Sequence, residues 1–399
     1  MTESPPGMPE EPDPARMLVD RHARLQAQLA VHGLDGMILL GTSAVRYATG
    51  WAGAGADPAA AALWRPVAVV VGGDRHPHLA AAGPPPPGLP PDHHHPPLLP
   101  DLDGGAARVA PLVRSLFASG AHLAVDELPH PMAAALRGYR VAGAAAALGG
   151  AKVIKTPDEL ACIRAAQRIN EAAMAQVAPM AVPGVGQWQL TAAFNRLVTE
   201  HGAGAVALDP IWQPMPARRG DGPWTVHGGV AFPTGSDGRV LRRGDVVWVD
   251  TGICYHGYAS DFGRTWIVGD PPRPTARQRA QHRRWKEVVE AVLAVLRPGA
   301  TGLDLVRAAT AAHGGARPWL EHFYLAHGVG TDSAEAPLVG TDLGEGFDAS
   351  TVLAPGMVVV LEPVIWDEGD GGYRAEDIYA VTPEGWVALS DHPYHPFES

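Results

Sequence analysis

Apolar positions recur at intervals of three and four from Met17, with Leu18, His22, Leu25 and Leu29 on one face and Gly33 at the end of the run. This spacing predicts a helix closed by glycine. GMILLGTSAVRYATG, Gly36 to Gly50, reads as strand and turn, Pro66–Val71 as a second strand, Ala121–Asp126 as a third, and Pro131–Arg137 as a helix. Alternating strands and helices over residues 17–150 predict an open α/β domain. Met1–Arg16 is rich in proline and acid and is expected to be a disordered tail. Pro84–Pro100 interrupts the pattern and carries His93, His94 and His95. Adjacent histidines in a proline-rich loop cannot all point at one ion, so the stretch reads as a solvated loop.

The pattern changes near Gly149–Thr156. Thr156 as N-cap, Pro157 at the first helical position and Asp158 and Glu159 in the first turn predict a strong helix start. Further helices are expected at Trp188–His201 and Arg277–Leu296. Between and after them lie apolar arms around turn residues, so residues 151–399 read as an α+β domain built on paired hairpins.

Those hairpins carry the candidate chemistry. In VVWVDTGICYHGYASDFGRT, Val246–Thr265, folding about Tyr255 and His256 sets Asp250 opposite Asp261, about 5 Å apart at Cα. Two carboxylates that close need a shared proton or a cation between them. Taken alone, the segment also fits an exposed hairpin with two solvated aspartates. A second hairpin, Leu361–Thr382, centred on Gly369, makes Glu362 and Glu376 partners. Carboxylates on strands of Val, Ile and Leu are costly to bury unless a metal takes their charge. Four negative charges match two divalent cations, which suggests a two-metal site. His327, in AHGVGTD, supplies a nitrogen ligand, with Gly328 and Gly330 allowing close backbone approach; a structural histidine is the alternative.

Composition narrows the classes. The chain has 399 residues, is 46% hydrophobic and 18% charged, and carries a net charge of −11. Without a basic run or an aromatic-plus-arginine module, nucleic acid is not an expected partner. No run approaches the roughly 20 apolar residues needed to cross a bilayer, and the amino terminus lacks the pattern of a secretory signal. Only Cys162 and Cys254 are present, which favours a reducing, cytoplasmic compartment over a disulfide framework. Cys254 lies between the two aspartates and reads as a small packed residue.

The order Asp250, Asp261, His327, Glu362, Glu376 resembles the five-ligand set of the pita-bread metallopeptidase superfamily, in its aminopeptidase P, prolidase and creatinase branch. The words GDVVWVDTG, GYASDFGRT, HGVG, PGMVVVLEP and RAED, spanning Gly244 to Thr382, carry the resemblance. HGLDGMILLGTSAVRYATGW is similar to the amino-terminal domain of creatinase and prolidase. The resemblance implies a pita-bread catalytic domain over 151–399 after a smaller α/β domain over 17–150. It implies two divalent ions, manganese first, with iron, cobalt or zinc as alternatives. Asp261 and Glu376 would bridge them, Asp250 would chelate one, and His327 and Glu362 would complete the other. A bridging hydroxide would attack, Glu362 would shuttle the proton, His227 would assist catalysis and bind substrate, and Arg374 would bind substrate. A homodimer acting on a small peptide or small molecule is implied as well.

Two departures bear on function. Seven residues after His327, where peptidases of the family place a substrate-binding histidine, this chain has Ala334. The interval from His327 to Glu362 is also longer than the prolidase pattern, with Val339–Ser350 as the insertion expected beside the site. An Xaa-Pro aminopeptidase or prolidase is therefore the first expectation. A non-peptidase relative, creatinase-like or dimethylsulfoniopropionate-lyase-like, is the second, and an inactive binding protein the last. His322, Tyr324 or the insertion could supply the missing donor.

Overall fold

Met37 and Leu39 face one side of a strand and Ile38 the other, and all three are fully buried. A strand covered on both faces reads as an unbroken apolar run, which is what GMILL is. In the computed structural model, which describes residues 7–52, 64–221 and 239–398, this strand is β1 (Gly36–Leu39). It lies inside a six-stranded sheet with β2 (Val67–Val71), β3 (His78–Ala80), β4 (His94–His95), β5 (His122–Val125) and β6 (Arg140–Gly143), in the order β4-β3-β2-β1-β5-β6. One core packs Leu18, Leu25, Met37, Leu39 and Val70 on one face, and another packs Ile38, Val69, Val113 and Leu123 on the other.

Three expectations for this part of the chain are corrected. The first helix, α1 (Pro14–His32), starts three residues before Met17 and inside the expected tail. Asp13 is its cap, with Oδ1 accepting from Ala15 N at 2.9 Å and Arg16 N at 3.2 Å. Arg16 then grips Asp158 through Nε at 2.8 Å and Nη2 at 2.7 Å. The Asp13-Pro14 pair is an N-cap followed by proline at N1, a start signal hidden by the surrounding prolines. Thr42–Thr49 is a helix, α2, where strand and turn were expected. The proline-rich stretch contributes β4 to the sheet edge instead of a free loop. Residues 1–6 of the expected tail lie outside the described residues.

The described residues divide into two compact units, one from Pro9 to Glu159 and one from Leu160 onward. After the first unit's helices α3 (Asp103–Leu116), α4 (His130–Ala135) and α5 (Ala145–Lys152) comes α6 (Pro157–Val177), which opens with the expected cap. Glu159 Oε2 accepts from Thr156 N at 2.7 Å, and Glu159 N donates to Thr156 Oγ1 at 3.2 Å. In the second unit, α6 and α7 (Gln187–Glu200) pack on a sheet ordered β10-β8-β7 from β7 (Ala205–Met215), β8 (Val246–Tyr255) and β10 (Phe262–Ile267), with β9 (Tyr258–Ala259) paired to β8. Met174, Phe194, Trp212, Val249 and Phe262 form the buried layer between helices and sheet. Beyond α8 (Ala276–Val295) and α9 (Gly302–Ala312), a second sheet is ordered β12-β11-β13-β16-β17. Its strands are β11 (Ala326–Gly328), β12 (Glu335–Val339), β13 (Val358–Leu361), β16 (Asp377–Thr382) and β17 (Gly385–Ala388), with α10 (Glu345–Ser350) between β12 and β13. The hairpin β14 (Val364–Asp367) and β15 (Gly371–Arg374) stands apart from that sheet. No helix among the described residues is long and apolar enough to cross a membrane.

Candidate metal centre

The first hairpin closes on His256 and Gly257, both with positive φ, 47° and 83°. That is the backbone a two-residue turn of the primed type needs. Its ladder pairs Tyr255 with Tyr258 and Asp250 with Gly263. The expected pairing of Asp250 with Asp261 is thus corrected by two residues: the turn is centred one residue later than expected. A shift of two preserves the alternation of faces, so both carboxylates still point to the same side. The second hairpin has the expected centre. Val364 pairs with Arg374 and Leu361 with Asp377, which leaves Glu362 and Glu376 at matched positions where one ladder ends and the other begins.

Gly263 joins the hairpins, because Glu376 N donates to its carbonyl at 2.9 Å. A Cβ at Gly263 would lie 2.5 Å from Glu376 Cδ, so glycine leaves the space that the Glu376 side chain occupies. Gly328 is equally confined, since a Cβ there would run into the Ala336 carbonyl. His327 is on β11, with Nε2 3.2 Å from Asp261 Oδ2 and 3.3 Å from Glu362 Oε1. Ligand atoms of Asp250, Asp261 and Glu376 lie within 4.8 Å of one another. Asp261 belongs to both groupings.

All five residues are at most 8% exposed. Arg374 enters the same cluster, its Nη2 3.2 Å from Asp250 Oδ2 and 2.6 Å from Glu362 Oε2, and also paired with Glu376 Oε1. Burial and the neighbouring Asp261 and Glu362 push the Asp250 carboxyl up to about 7, against the pull of Arg374. Burial alone would lower His327, yet the Asp261 and Glu362 carboxylates outweigh it and hold the imidazolium up to about 10. Surplus negative charge therefore draws in protons. Asp250 Oδ1 and Glu376 Oε2 are buried and accept no hydrogen bond among the described residues. Buried carboxylate oxygens left this way fit a cation, and an O-rich set with one imidazole suits divalent manganese, iron, cobalt or zinc. The cluster opens on a cavity of about 180 Å³, whose apolar wall is Leu208, Ile211 and Phe323 and whose polar rim includes Tyr324 and Ser333.

The sequence profile of metallopeptidase family M24 matches residues 161–383, more than half of the chain. The chain belongs to metallopeptidase family M24. Its sequence is 31% identical over 248 residues to a probable dipeptidase PepE of Mycobacterium tuberculosis, covering 61% of this chain and 60% of that protein. It is 30% identical over 241 residues to an Xaa-Pro dipeptidase of Pyrococcus furiosus, covering 60% and 63%. The chain thus matches about 60% of the length of these relatives. An Xaa-Pro dipeptidase structure from Bacillus anthracis superposes with a TM-score of 0.70 at 22% identity, covering 94% of this chain and 98% of that one. An X-Pro aminopeptidase structure from Thermotoga maritima gives 0.73 at 20%, with the same coverage. The pita-bread fold expected from the motifs is the fold of this M24 member.

Other expected site residues fall differently in the M24 chain. His227 lies outside the described residues. Arg374, expected to bind substrate, is 3% exposed and its guanidinium contacts three carboxylates of the cluster. Ala334 lines the cavity beside Ser333, and so does Tyr324, whose ring centroid is 4.9 Å from that of His327. His322 is exposed, bonded to Asp342 at 2.7 Å, and does not line the cavity. The insertion begins at the last residue of β12 and ends in α10, with Gly340 N donating to Asp348 Oδ1 at 2.9 Å, and lines no part of the cavity. Cys254 is half-buried and is not a lining residue.

Sequence reading missed the support from α6. Asn170 Nδ2 donates to Thr251 O at 2.8 Å and to Ser260 Oγ at 3.0 Å, and Gln167 Oε1 accepts from Asp261 N at 3.3 Å. These amides clamp the backbone on either side of the aspartates. Arg264 does the same for the second hairpin, donating to the Glu376 carbonyl at 2.7 Å and to Asp377 Oδ1 at 3.0 Å. Buried polar residues inside a helical pattern were the available signal, but their partners are distant in sequence.

Two predictions arise here. Gly263→Ala forces the Glu376 carboxylate to move and is expected to weaken manganese binding at least about tenfold, while the protein stays folded. Calorimetric titration and circular dichroism check it, and unchanged affinity would contradict the close-approach argument. The second concerns Glu171, which is 7% exposed and accepts from Asp391 N at 2.8 Å and Gln167 Nε2 at 3.1 Å. Burial raises its pKa from 4.5 to about 7. Stability linked to that proton is full below pH 4.5 and is lost as pH rises through 7, because the unfolded carboxyl ionises first. Glu171→Gln keeps a neutral acceptor, so its stability relative to wild type should grow between pH 5 and pH 8 by up to about 3 kcal/mol. Urea denaturation at the two pH values reads the gap directly, and a constant gap would refute the shift.

Proposed function

We propose that this chain is a dinuclear-metal exopeptidase acting on short peptides, with Xaa-Pro dipeptides as the first substrate class. The observation that carries the reading is the pair of ligand groupings, Asp250-Asp261-Glu376 and Asp261-His327-Glu362, that share Asp261. Charge supports two ions. Four carboxylates less the one charge of Arg374 leave three negative charges, which two divalent ions and one small anion balance. The apolar wall of Leu208, Ile211 and Phe323 suits a proline ring or a small apolar side chain.

When bound, the ions would supply Lewis-acid polarisation of the scissile carbonyl and a water activated at neutral pH. The chain supplies the rest. Arg374 holds Glu362 Oε2 through Nε at 3.1 Å and Nη2 at 2.6 Å, so Oε1 is the oxygen left to take a proton and pass it to the leaving amine. Burial, and then Glu362 and Asp261, raise the Tyr324 pKa, so its hydroxyl keeps its proton and can donate to a substrate oxygen. The test is hydrolysis of a panel of Xaa-Pro dipeptides by manganese-loaded protein, lost with a chelator and restored by manganese. Absence of hydrolysis by both wild type and Ala334→His would reject the peptidase reading.

Ala334 favours a second reading, a non-peptide substrate processed by the same cluster. It puts a methyl group on the cavity wall where peptidases of this superfamily would have an imidazole donor. Retention of all five ligand residues argues against an inactive binding protein.

A further inference from the structure

The amino-terminal unit holds a cluster that the proposed peptidase chemistry does not use. His78 is on β3 and His95 is on β4, the edge strand. Their register pairs Ala80 with His95, which places His78 and His95 on the same face. His78 Nδ1 and His95 Nε2 are 3.0 Å apart. His93 stacks on His78 with ring centroids 4.1 Å apart and planes 9° apart, and is itself held by a contact of its Nδ1 with the Pro77 carbonyl at 3.2 Å. The His78 ring is thereby fixed in plane. On its far side, His78 Nε2 is 3.5 Å from Asp74 Oδ2.

We propose that His78 Nδ1 and His95 Nε2 form a binding site for a divalent late-transition-metal ion of the zinc or nickel class, separate from the acidic cluster.

Geometry and tautomer chemistry carry the proposal. A carboxylate beside Nε2 keeps the proton on that nitrogen and leaves Nδ1 as a lone pair aimed at His95. The same outer carboxylate accompanies histidine ligands in metal sites generally. Without an ion, the contact needs the neutral His95 to carry its proton on Nε2. With an ion, that proton moves to His95 Nδ1 and both facing nitrogens become ligands, with no net proton released. Two imidazole nitrogens at about 2.0–2.1 Å from one tetrahedral ion lie about 3.3 Å apart. The pair is already within a few tenths of an ångström of that separation. Both ligands sit on paired strands, so their spacing is set by the sheet. Water would fill the remaining positions.

The three adjacent histidines do not share this ion among themselves. His94 and His95 do point to opposite faces, as neighbours on a strand must, but the second ligand comes from a different strand.

The test uses crystals of the manganese-loaded full chain soaked in zinc, with anomalous data at the zinc edge. The expected result is a peak about 2.0–2.1 Å from both His78 Nδ1 and His95 Nε2. Peaks confined to the acidic cluster or to other histidines would overturn the site. In solution, equilibrium dialysis should show that His78→Ala and His95→Gln each bind one zinc fewer than wild type, whereas His32→Ala, an exposed control, matches it. His95 is half-buried at the sheet edge, so His95→Gln remains informative if the buried His78 proves necessary for folding. An unchanged zinc count in His95→Gln would refute the proposal.

Discussion

Glu362→Gln is expected to lose on the order of 10² to 10⁴ in peptide hydrolysis while retaining one of two metal ions. Arg374 donates to Glu362 Oε2 from Nε at 3.1 Å and Nη2 at 2.6 Å. Those donors demand an acceptor, so the amide oxygen of glutamine takes that place. The amide nitrogen then falls where Oε1 was, 3.3 Å from His327 Nε2, where it can neither ligate a cation nor accept a proton. The Asp250-Asp261-Glu376 grouping is untouched and should keep its ion. Turnover and metal content measured on the same preparation test both halves. Turnover within tenfold of wild type would remove Glu362 from the proton path.

Ala334→His is expected to raise Xaa-Pro turnover by about 10² to 10³, the usual worth of one donor to charge developing in a transition state. Ala334 and Ser333 line the cavity on the segment leading into β12, so an imidazole there reaches the space above the carboxylates. Tyr324 is the remaining nearby donor from the expected set, because His322 is bonded to Asp342 in solvent and the insertion lines no part of the cavity. A slow wild-type enzyme accelerated by histidine would show that the cluster is competent for peptide hydrolysis and lacks only this donor. Robust wild-type turnover, unchanged or lowered by the substitution, would show that Tyr324 or Ser333 already does this work.

The two hairpins show what was legible in sequence and why. Glu362 and Glu376 could be paired because the Gly-rich turn at Gly369 marks its own centre, and the register followed. For Asp250 and Asp261 the turn uses His256 at φ 47°, a conformation uncommon for a residue other than glycine, so the centre was misplaced. Face alternation rescued the site because an error of two keeps parity; an error of one would have sent one carboxylate to the other side. Short elements were harder. α2 has eight residues between Gly41 and Gly50, too few for helical periodicity to separate from an apolar strand.

Long-range polar partners were not legible at all. Asn170 and Gln167 look like ordinary helix residues until their hydrogen bonds to Thr251, Ser260 and Asp261 are seen. Arg374, which the resemblance implies binds substrate, lines the cavity, and its charge is also matched within the acidic cluster. For Asn170 and Gln167 the deciding contact spans a separation in sequence over which no local pattern operates.

The most direct test of the proposed dinuclear centre is metal content per chain after dialysis against manganese, measured for wild type and Asp261→Ala. Asp261 is the residue common to both ligand groupings. The account predicts two ions in wild type, fewer than one in the variant, and loss of all hydrolysis with them. A wild type that binds one ion or none at saturating manganese, or an Asp261→Ala protein that still binds two, would contradict it.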